Sequence, residues 1–377
     1  MIRVLLVDDS PIVLNILQRL LSSSPEIQVV GTAANGREAL SLLPSLNPDV
    51  ICTDLHMPVM NGLELTREVM SRYPRPILVV SVSVEEDSPN AFKLLEAGAV
   101  DIFPKPQVVQ SQDFRAAADE LARRIRILSG VKVFRRNNSL NAAALNAPIV
   151  SGKPSSPLRI VVIGASTGGP QALRDILSQL PADFPLPIVC IQHIGSNFLS
   201  GMVTWLADVC PLSVRKASHG ETPLPGTVYF APEDSQLELD DKGHFLISTA
   251  GPVDGHRPAI TVTMRAVARR YGSGAVGVLL TGMGRDGAAG MAAIATAGGL
   301  TLAQDEASSV VYGMPKEAVA LGAVQYQLPL EQIAPALVKL AGPMPSGVDV
   351  KLGIAKSSRE NTAAYSPFNL PPASHES

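Results

Sequence analysis

Short β-branched runs and amphipathic helical segments alternate along this chain, and the alternation occurs twice. The first series contains "IRVLLVDD", "IQVVGTA", "PDVICTD", "PILVVSV" and "AVDIFPK". Segments such as "SPIVLNILQRLLSS" and "FRAAADELARRIRIL" supply apolar residues at helical spacing. From Leu158 the pattern resumes with "RIVVIGAS", "PIVCIQHI", "TVYFAP", "AVGVLLTG" and "LTLAQD". Strands alternating with helices predict a parallel sheet covered on both faces. The expected class is therefore α/β, with two doubly wound parallel-sheet domains, and 377 residues is too long for one ordinary core. Between the series lies "RRNNSLNAAALNAPIVSGKPSSP", rich in Asn, Ser, Ala and Pro, which reads as a flexible linker. The expected boundaries are 1–128, a linker over 129–157, a second domain over 158–345, and a tail over 346–377 with a disordered composition.

Several classes are excluded at this point. A formal net charge of -3 gives no electrostatic footprint for nucleic acid. No apolar run approaches the ~18 residues that a membrane span needs. Asp8 and Asp9 cut the apolar N-terminal segment too short for a signal peptide. Cys52, Cys190 and Cys210 lie far apart and fit neither a metal site nor a disulfide framework. The expectation is a cytoplasmic protein with no nucleic-acid partner and no direct membrane insertion.

In a parallel α/β sheet, ligands gather outside the carboxyl ends of the strands. In the first series those ends carry Asp8, Asp9, Asp54, Ser81 and Lys105. Converging carboxylates repel one another unless a cation sits among them, and oxygen-only ligation favours Mg²⁺. A lysine and a serine opposite would bind phosphoryl oxygens, leaving Asp54 as a candidate nucleophile for an acyl-phosphate. Solvated loop charges are the alternative for any one of them. "VDDS", "DLHMPVMNG", Ser81 and "FPKP" together resemble the signature of response-regulator receiver domains over residues 2–125. That resemblance implies a flavodoxin-like fold, phosphorylation of Asp54 by a histidine kinase, and Mg²⁺ held by Asp8, Asp9, Asp54 and the backbone at His56. It makes Ser81 and Lys105 the switch residues, and implies a cis bond before Pro106.

The second series opens with "VVIGASTGGP", where Ser166 stands between Gly164 and Gly168. G-x-S-x-G permits a strained strand-to-helix turn that exposes a nucleophilic hydroxyl; a phosphate cradle containing a serine is the other reading. Later, Gly282, Gly284 and Gly287 of "GMGRDG" match a dinucleotide fingerprint, with Asp305 near the position of a ribose-binding acid. Against it, the unit lies near the end of its domain, and Asp286 in the loop would repel pyrophosphate. A hydrolytic reading needs a base and an orienter for Ser166. His193 ends the strand-like "IVCIQHI" and Asp286 follows another strand, so all three converge on one sheet edge. The order Ser…His…Asp differs from that of α/β-hydrolases. A receiver that merely docks its second domain on a partner, without catalysis, is a further alternative.

"IGASTGGPQAL", "IQHI", "TGMGRDGAAGM" and "AQDEASSVVYGMP" are similar to the catalytic domain of the CheB family of chemotaxis protein-glutamate methylesterases. The receiver–linker–catalytic order matches as well. The resemblance implies a Rossmann-like methylesterase domain in which Ser166 attacks glutamate methyl esters, or glutamines, of methyl-accepting chemoreceptors. His193 is then the base, Asp286 its orienter, and the backbone N–H groups of Thr167 and Met283 hold the oxyanion. The esterase chemistry needs no cofactor, and the receiver covers the active site until Asp54 is phosphorylated. Thr261 stands where the family commonly carries aspartate, and Gln236 where histidine is frequent. His256 and Arg257 are expected to line the site, His219 and His244 to lie in surface loops.

Overall fold

A computed structural model of the chain describes residues 1–81, 88–106, 111–131 and 156–342. Most of the expected linker and the tail lie outside the described residues. The first half contains strands β1 (Ile2–Val7), β2 (Ile27–Ala33), β3 (Val50–Thr53), β4 (Ile77–Ser81) and β5 (Asp101–Pro104). Its helices are α1 (Pro11–Leu21), α2 (Gly36–Leu46), α3 (Gly62–Arg72), α4 (Ser88–Glu96) and α5 (Ser111–Ser129). The strands pair in the order β2-β1-β3-β4-β5, every pair parallel. The chain winds one way from β1 to β2 and the other way from β3 onward, so the edge beside β1 and β3 opens into a crevice. Helix starts are set by local chemistry: Ser10 caps α1, Asn35 caps α2, and Asn61 forms a capping box with Glu64 on α3.

The second half begins with β6 (Ile160–Ala165), α6 (Gly169–Leu177), β7 (Ile188–Gln192), α7 (Leu199–Val209), β8 (Ser213–Lys216) and β9 (Thr227–Phe230). A hairpin of β10 (Gln236–Leu239) and β11 (Phe245–Ser248) then leads to α8 (Ile260–Tyr271) and β12 (Ala275–Leu279). It closes with α9 (Ala288–Thr296), β13 (Leu300–Gln304), α10 (Met314–Ala320), β14 (Tyr326–Leu328) and α11 (Leu330–Ala341). Seven strands form one parallel sheet in the order β14-β13-β12-β6-β7-β9-β8, while β10 and β11 pair antiparallel beside it. The runs "VVIGA" and "VCIQ" are buried on both sides, as expected where helices cover both faces. β6 lies between β12 and β7, so the loops after all three share the switch point of the sheet.

One apolar core layer is continuous across the halves, running from Leu65, Val79 and Phe92 to Trp205, Ile163 and Leu173. Phe92 of α4 stacks on Trp205 of α7 with ring centroids 5.2 Å apart. Trp205 Nε1 donates to Glu96 at 2.8 Å, and Gln171 Nε2 donates to the Ala99 carbonyl at 2.6 Å. Cys52 and Cys190 are fully buried, and burial pushes both thiols well above their ordinary pKa. Both therefore stay protonated and act as small hydrophobes. No described helix is long and apolar enough to cross a membrane.

Candidate active site

β6 ends at Ala165, and the chain turns sharply into α6 through Ser166, Thr167 and Gly168. Gly168 adopts φ 76°, a left-handed conformation that side chains resist, so this glycine serves the turn. The turn is held from three sides. Ser166 N donates to the Thr281 carbonyl at 3.0 Å, Thr281 Oγ1 donates to the Thr167 carbonyl at 3.0 Å, and Gln192 Nε2 donates to the Ser166 carbonyl at 2.8 Å.

His193 directly follows β7, and its backbone N–H donates to the Ala165 carbonyl at 3.0 Å, tying it to the strand that carries Ser166. Its Nε2 lies 2.9 Å from Asp286 Oδ2. An ionised carboxylate only accepts, so Nε2 carries a proton, and in the neutral imidazole Nδ1 then keeps the lone pair. Nδ1 is buried and has no hydrogen-bond partner among the described residues. Asp286 also accepts from the N–H groups of Ile260, Thr261 and Gly287, each at 2.8 Å. Ile260 and Thr261 open α8, so the carboxylate rests on a helix N-terminus. Burial would raise its pKa, but the His193 bond and charge and the Thr261 donors outweigh it and hold the group at about 2. Asp286 is thus a fixed anion facing the imidazole.

The His256 ring stacks on His193 at 3.7 Å between centroids, with 9° between planes. Burial, then repulsion from His193, lowers its pKa to about 4, so it is neutral near pH 7. Gln236 braces the loop carrying it: Oε1 accepts from Ala259 N at 2.9 Å, and Nε2 donates to the Gly251 carbonyl at 3.1 Å. Thr261 Oγ1 accepts from Gly287 N at 2.8 Å, supporting the loop of Asp286. Gln236 and Thr261 therefore buttress the site from behind.

Ser166, Thr167, His193, His256 and Arg257 line a cavity of about 340 Å³. Its opposite wall comes from the first half: Phe103 and Pro104 of β5, with Glu120, Arg123 and Arg124 of α5. Arg123 Nη1 reaches Met283 Sδ at 3.2 Å. The structure thus brings Ser166, His193 and Asp286 to one sheet edge, with His193 bonded to Asp286; among the described residues no hydrogen bond joins Ser166 Oγ to His193. Neither Thr167 N–H nor Met283 N–H donates a hydrogen bond among the described residues; Thr167 lines the cavity, and Met283 meets Arg123 of its opposite wall. His244 pairs instead with Asp240 at 3.1 Å, and His219 accepts from Ile247 N at 3.2 Å, both apart from the cavity. Asp305, the acid of the dinucleotide reading, is engaged by Ser308 N and Oγ at 2.9 and 2.7 Å. Gln192, Thr281 and Arg123 escaped the sequence reading; for Gln192, its place immediately before His193 was the available signal.

At the edge of the other sheet, Lys105 Nζ lies 2.8 Å from both Asp8 Oδ2 and Asp54 Oδ2. Burial raises the Asp54 carboxyl above its ordinary pKa although Lys105 pulls it down. Burial opposes the Lys105 ammonium, yet its bonds to Asp54 and Asp8 hold its pKa above the usual value. Ligand oxygens of Asp8, Asp9 and Asp54 all lie within 4.8 Å of one another. Three carboxylates against one ammonium leave a negative, oxygen-only cluster, which fits a hard divalent cation. Ser81 is buried at the end of β4 on the same edge. One expectation is corrected here: the cis peptide among the described residues is Arg257–Pro258, and Lys105–Pro106 is trans. X–Pro bonds prefer trans by only ~0.5–1 kcal/mol, and the trans form already delivers Lys105 to both carboxylates.

A receiver-type sheet edge beside an edge with half-buried Ser166 and His193 and buried Asp286 defines a class: a hydrolase-like α/β domain carrying its own phosphorylation module. Residues 4–118 match the response regulator receiver domain family and residues 161–337 match the CheB methylesterase family. The protein-glutamate methylesterase/protein-glutamine glutaminase of Nitrosospira multiformis is 44% identical over 346 residues, covering 90% of this chain and 97% of that protein. A protein of the same description from Syntrophus aciditrophicus is 42% identical, covering 91% of this chain and 99% of its own length. The crystal structure of the Thermotoga maritima CheB methylesterase catalytic domain is 38% identical with a TM-score of 0.48, covering 49% of this chain and all of that one. The chain belongs to the CheB methylesterase family.

Proposed function

We propose that this protein is a phosphorylation-activated serine hydrolase that demethylates glutamate methyl esters, and deamidates glutamines, on methyl-accepting chemoreceptors in the cytoplasm. The observation that carries the reading is the fixed Asp286–His193 pair, with Nδ1 of the imidazole left as a free base beside the Ser166 turn. Ser166 Oγ attacks the side-chain carbonyl as its proton passes to His193 Nδ1. The tetrahedral oxyanion takes hydrogen bonds from Thr167 and Met283 N–H. Collapse expels methanol, or ammonia, with the proton returned from Nδ1. Water, deprotonated by the same nitrogen, then cleaves the acyl-enzyme and leaves a receptor glutamate. Asp286 stabilises the transient imidazolium, and the neutral His256 stacked on it adds no second positive charge.

Residues 1–128 are the receiver and 158–345 the catalytic domain, joined by the linker 129–157. A histidine kinase supplies the phosphoryl group to Asp54. Asp8, Asp9 and Asp54 would hold Mg²⁺, which when bound neutralises charge around the phosphoryl oxygens. Lys105, now shared by Asp8 and Asp54, and Ser81 would turn to the three new acceptor oxygens. That change at the carboxyl ends of β4 and β5 biases the receiver away from the position in which β5 and α5 wall the cavity. Methanol release from methylated receptor fragments, with and without a phosphodonor, tests the reading. Ser166→Ala should lose on the order of 10⁴-fold or more of turnover; near-wild-type turnover in that variant would refute it.

A further inference from the structure

Gln192 is the last residue of β7, one position before His193, and only 4% of its surface is exposed. Its Nε2 donates to two carbonyls, those of Ser166 at 2.8 Å and His193 at 2.9 Å. A single amide group therefore ties together two loops that leave different strands, one bearing the nucleophile and the other the base. The Ser166 carbonyl also accepts the Gly169 N–H at 2.7 Å, closing the turn. The other end of the amide, Oε1, is buried without a hydrogen-bond partner among the described residues. A buried unmatched acceptor is a cost that an apolar side chain of similar length would not carry, so core stability does not explain this glutamine.

Gly169 completes the observation. A Cβ there would come within 2.0 Å of Gln192 Oε1 and 2.9 Å of its Cδ. Gly169 does not share the positive φ of Gly168, so its backbone does not call for glycine. What calls for it is first the carboxamide, whose oxygen is the nearest atom, and then Ala165 Cβ at 2.9 Å.

We propose that Gln192 is a positioning residue whose carboxamide sets the separation of Ser166 and His193, and that Gly169 lacks a side chain in order to admit it. The inference rests on the reading of Ser166 as nucleophile and His193 as base. Gln192 acts through their backbones and touches no reacting atom.

The test uses the full-length chain and methylated receptor fragments. Gln192→Met should lower kcat on the order of 10²-fold, as misplacement of reacting groups by about 1 Å does, with KM unchanged. Amide hydrogen exchange at Ser166–Gly169 and His193 should quicken while that in β12 does not, with the protein still folded at the assay temperature. Gly169→Ala should give a comparable kcat loss, because its methyl displaces the amide. Combined with Gln192→Ala, which vacates most of that space, Gly169→Ala should cause a much smaller further loss than it does alone, the remainder coming from its 2.9 Å approach to Ala165 Cβ. If Gln192→Met does not fold, Gln192→Leu, apolar and without a donor, carries the same expectations. Wild-type kcat, a loss confined to KM, unchanged exchange at the turn, or losses that multiply in the double variant would each overturn the proposal. Turnover retained in Ser166→Ala would instead overturn the nucleophile reading, and the exchange measurement would still decide the role of Gln192.

Discussion

Replacing Glu96 by alanine should switch on the unphosphorylated enzyme. Glu96 Oε1 accepts the Trp205 indole N–H at 2.8 Å across the contact between α4 and α7, and lies 4.0 Å from Arg174 Nη1. In the docked arrangement the substitution leaves a largely buried indole N–H without its partner; undocked, water satisfies it. A hydrogen bond to a charged acceptor contributes ~1.5–3 kcal/mol when well buried. The Glu96 side chain is 39% exposed, so the low end applies, and the distant Arg174 pair adds at most a few tenths. About 1.5 kcal/mol corresponds to a roughly tenfold shift in the docked-to-undocked ratio. Basal methanol release should therefore rise by up to about tenfold, and the further gain from a phosphodonor should shrink by the same factor. Glu68→Ala, which disturbs only the exposed pair with Arg72, is the matched control. If Glu96→Ala and the control show equal basal rates, the α4–α7 contact does not hold the enzyme shut, and the receiver acts by some route other than covering the cavity.

Asp286→Asn should lower turnover about 10³–10⁴-fold, because the imidazole loses its orienting anion, and NAD should not raise the thermal midpoint; micromolar NAD affinity with an active Asp286→Asn enzyme would revive the dinucleotide reading. In Asp54→Ala, the ratio of activities with and without phosphodonor should fall to one, and chelation of divalent cations should do the same to the wild type; activation surviving either treatment removes Asp54 or the cation from the switch. His256 titrates at about 4 in the folded protein, below its ordinary 6.5, so the unfolded chain binds a proton that the folded one excludes. Stability should consequently fall as pH drops from about 6.5 toward 4, and His256→Phe should flatten that dependence in thermal midpoints recorded across this range; parallel curves for both proteins count against a buried neutral His256.

The ten strands named from sequence all exist: central ones such as β3, β6, β7 and β12 are apolar runs buried on both faces, a pattern that burial by helices enforces, and the partly buried edge strand β2 is rich in β-branched residues. The short edge strands β8 and β14 and the hairpin β10–β11 lack that pattern: "SVRK" is three-quarters polar and "QLEL" half polar, and tertiary pairing decides them. Ser166, His193 and Asp286 were legible because parallel strands deliver their carboxyl ends to one edge. Which imidazole nitrogen faces the carboxylate, and that Gln192 bridges the two loops, depend on side-chain directions that spacing does not encode. The contacts of Phe92, Glu96 and Arg123 with the second half were equally hidden, since each looks like an ordinary helix residue in "NAFKLLEAG" or "LARRIRIL".

The cavity beside Ser166 is walled by β5 and α5 as well as by the loops after β6 and β7, and under the proposed function this would make receptor and phosphoryl group two ligands of a single equilibrium. If both favour the undocked form, thermodynamic linkage requires each to strengthen the other's binding by the same factor. A receptor segment held at the Ser166 site should then raise the receiver's affinity for a non-covalent phosphoryl analogue at Asp54. Information would then run backward, from the receptor segment to the receiver, through the shared wall of β5 and α5.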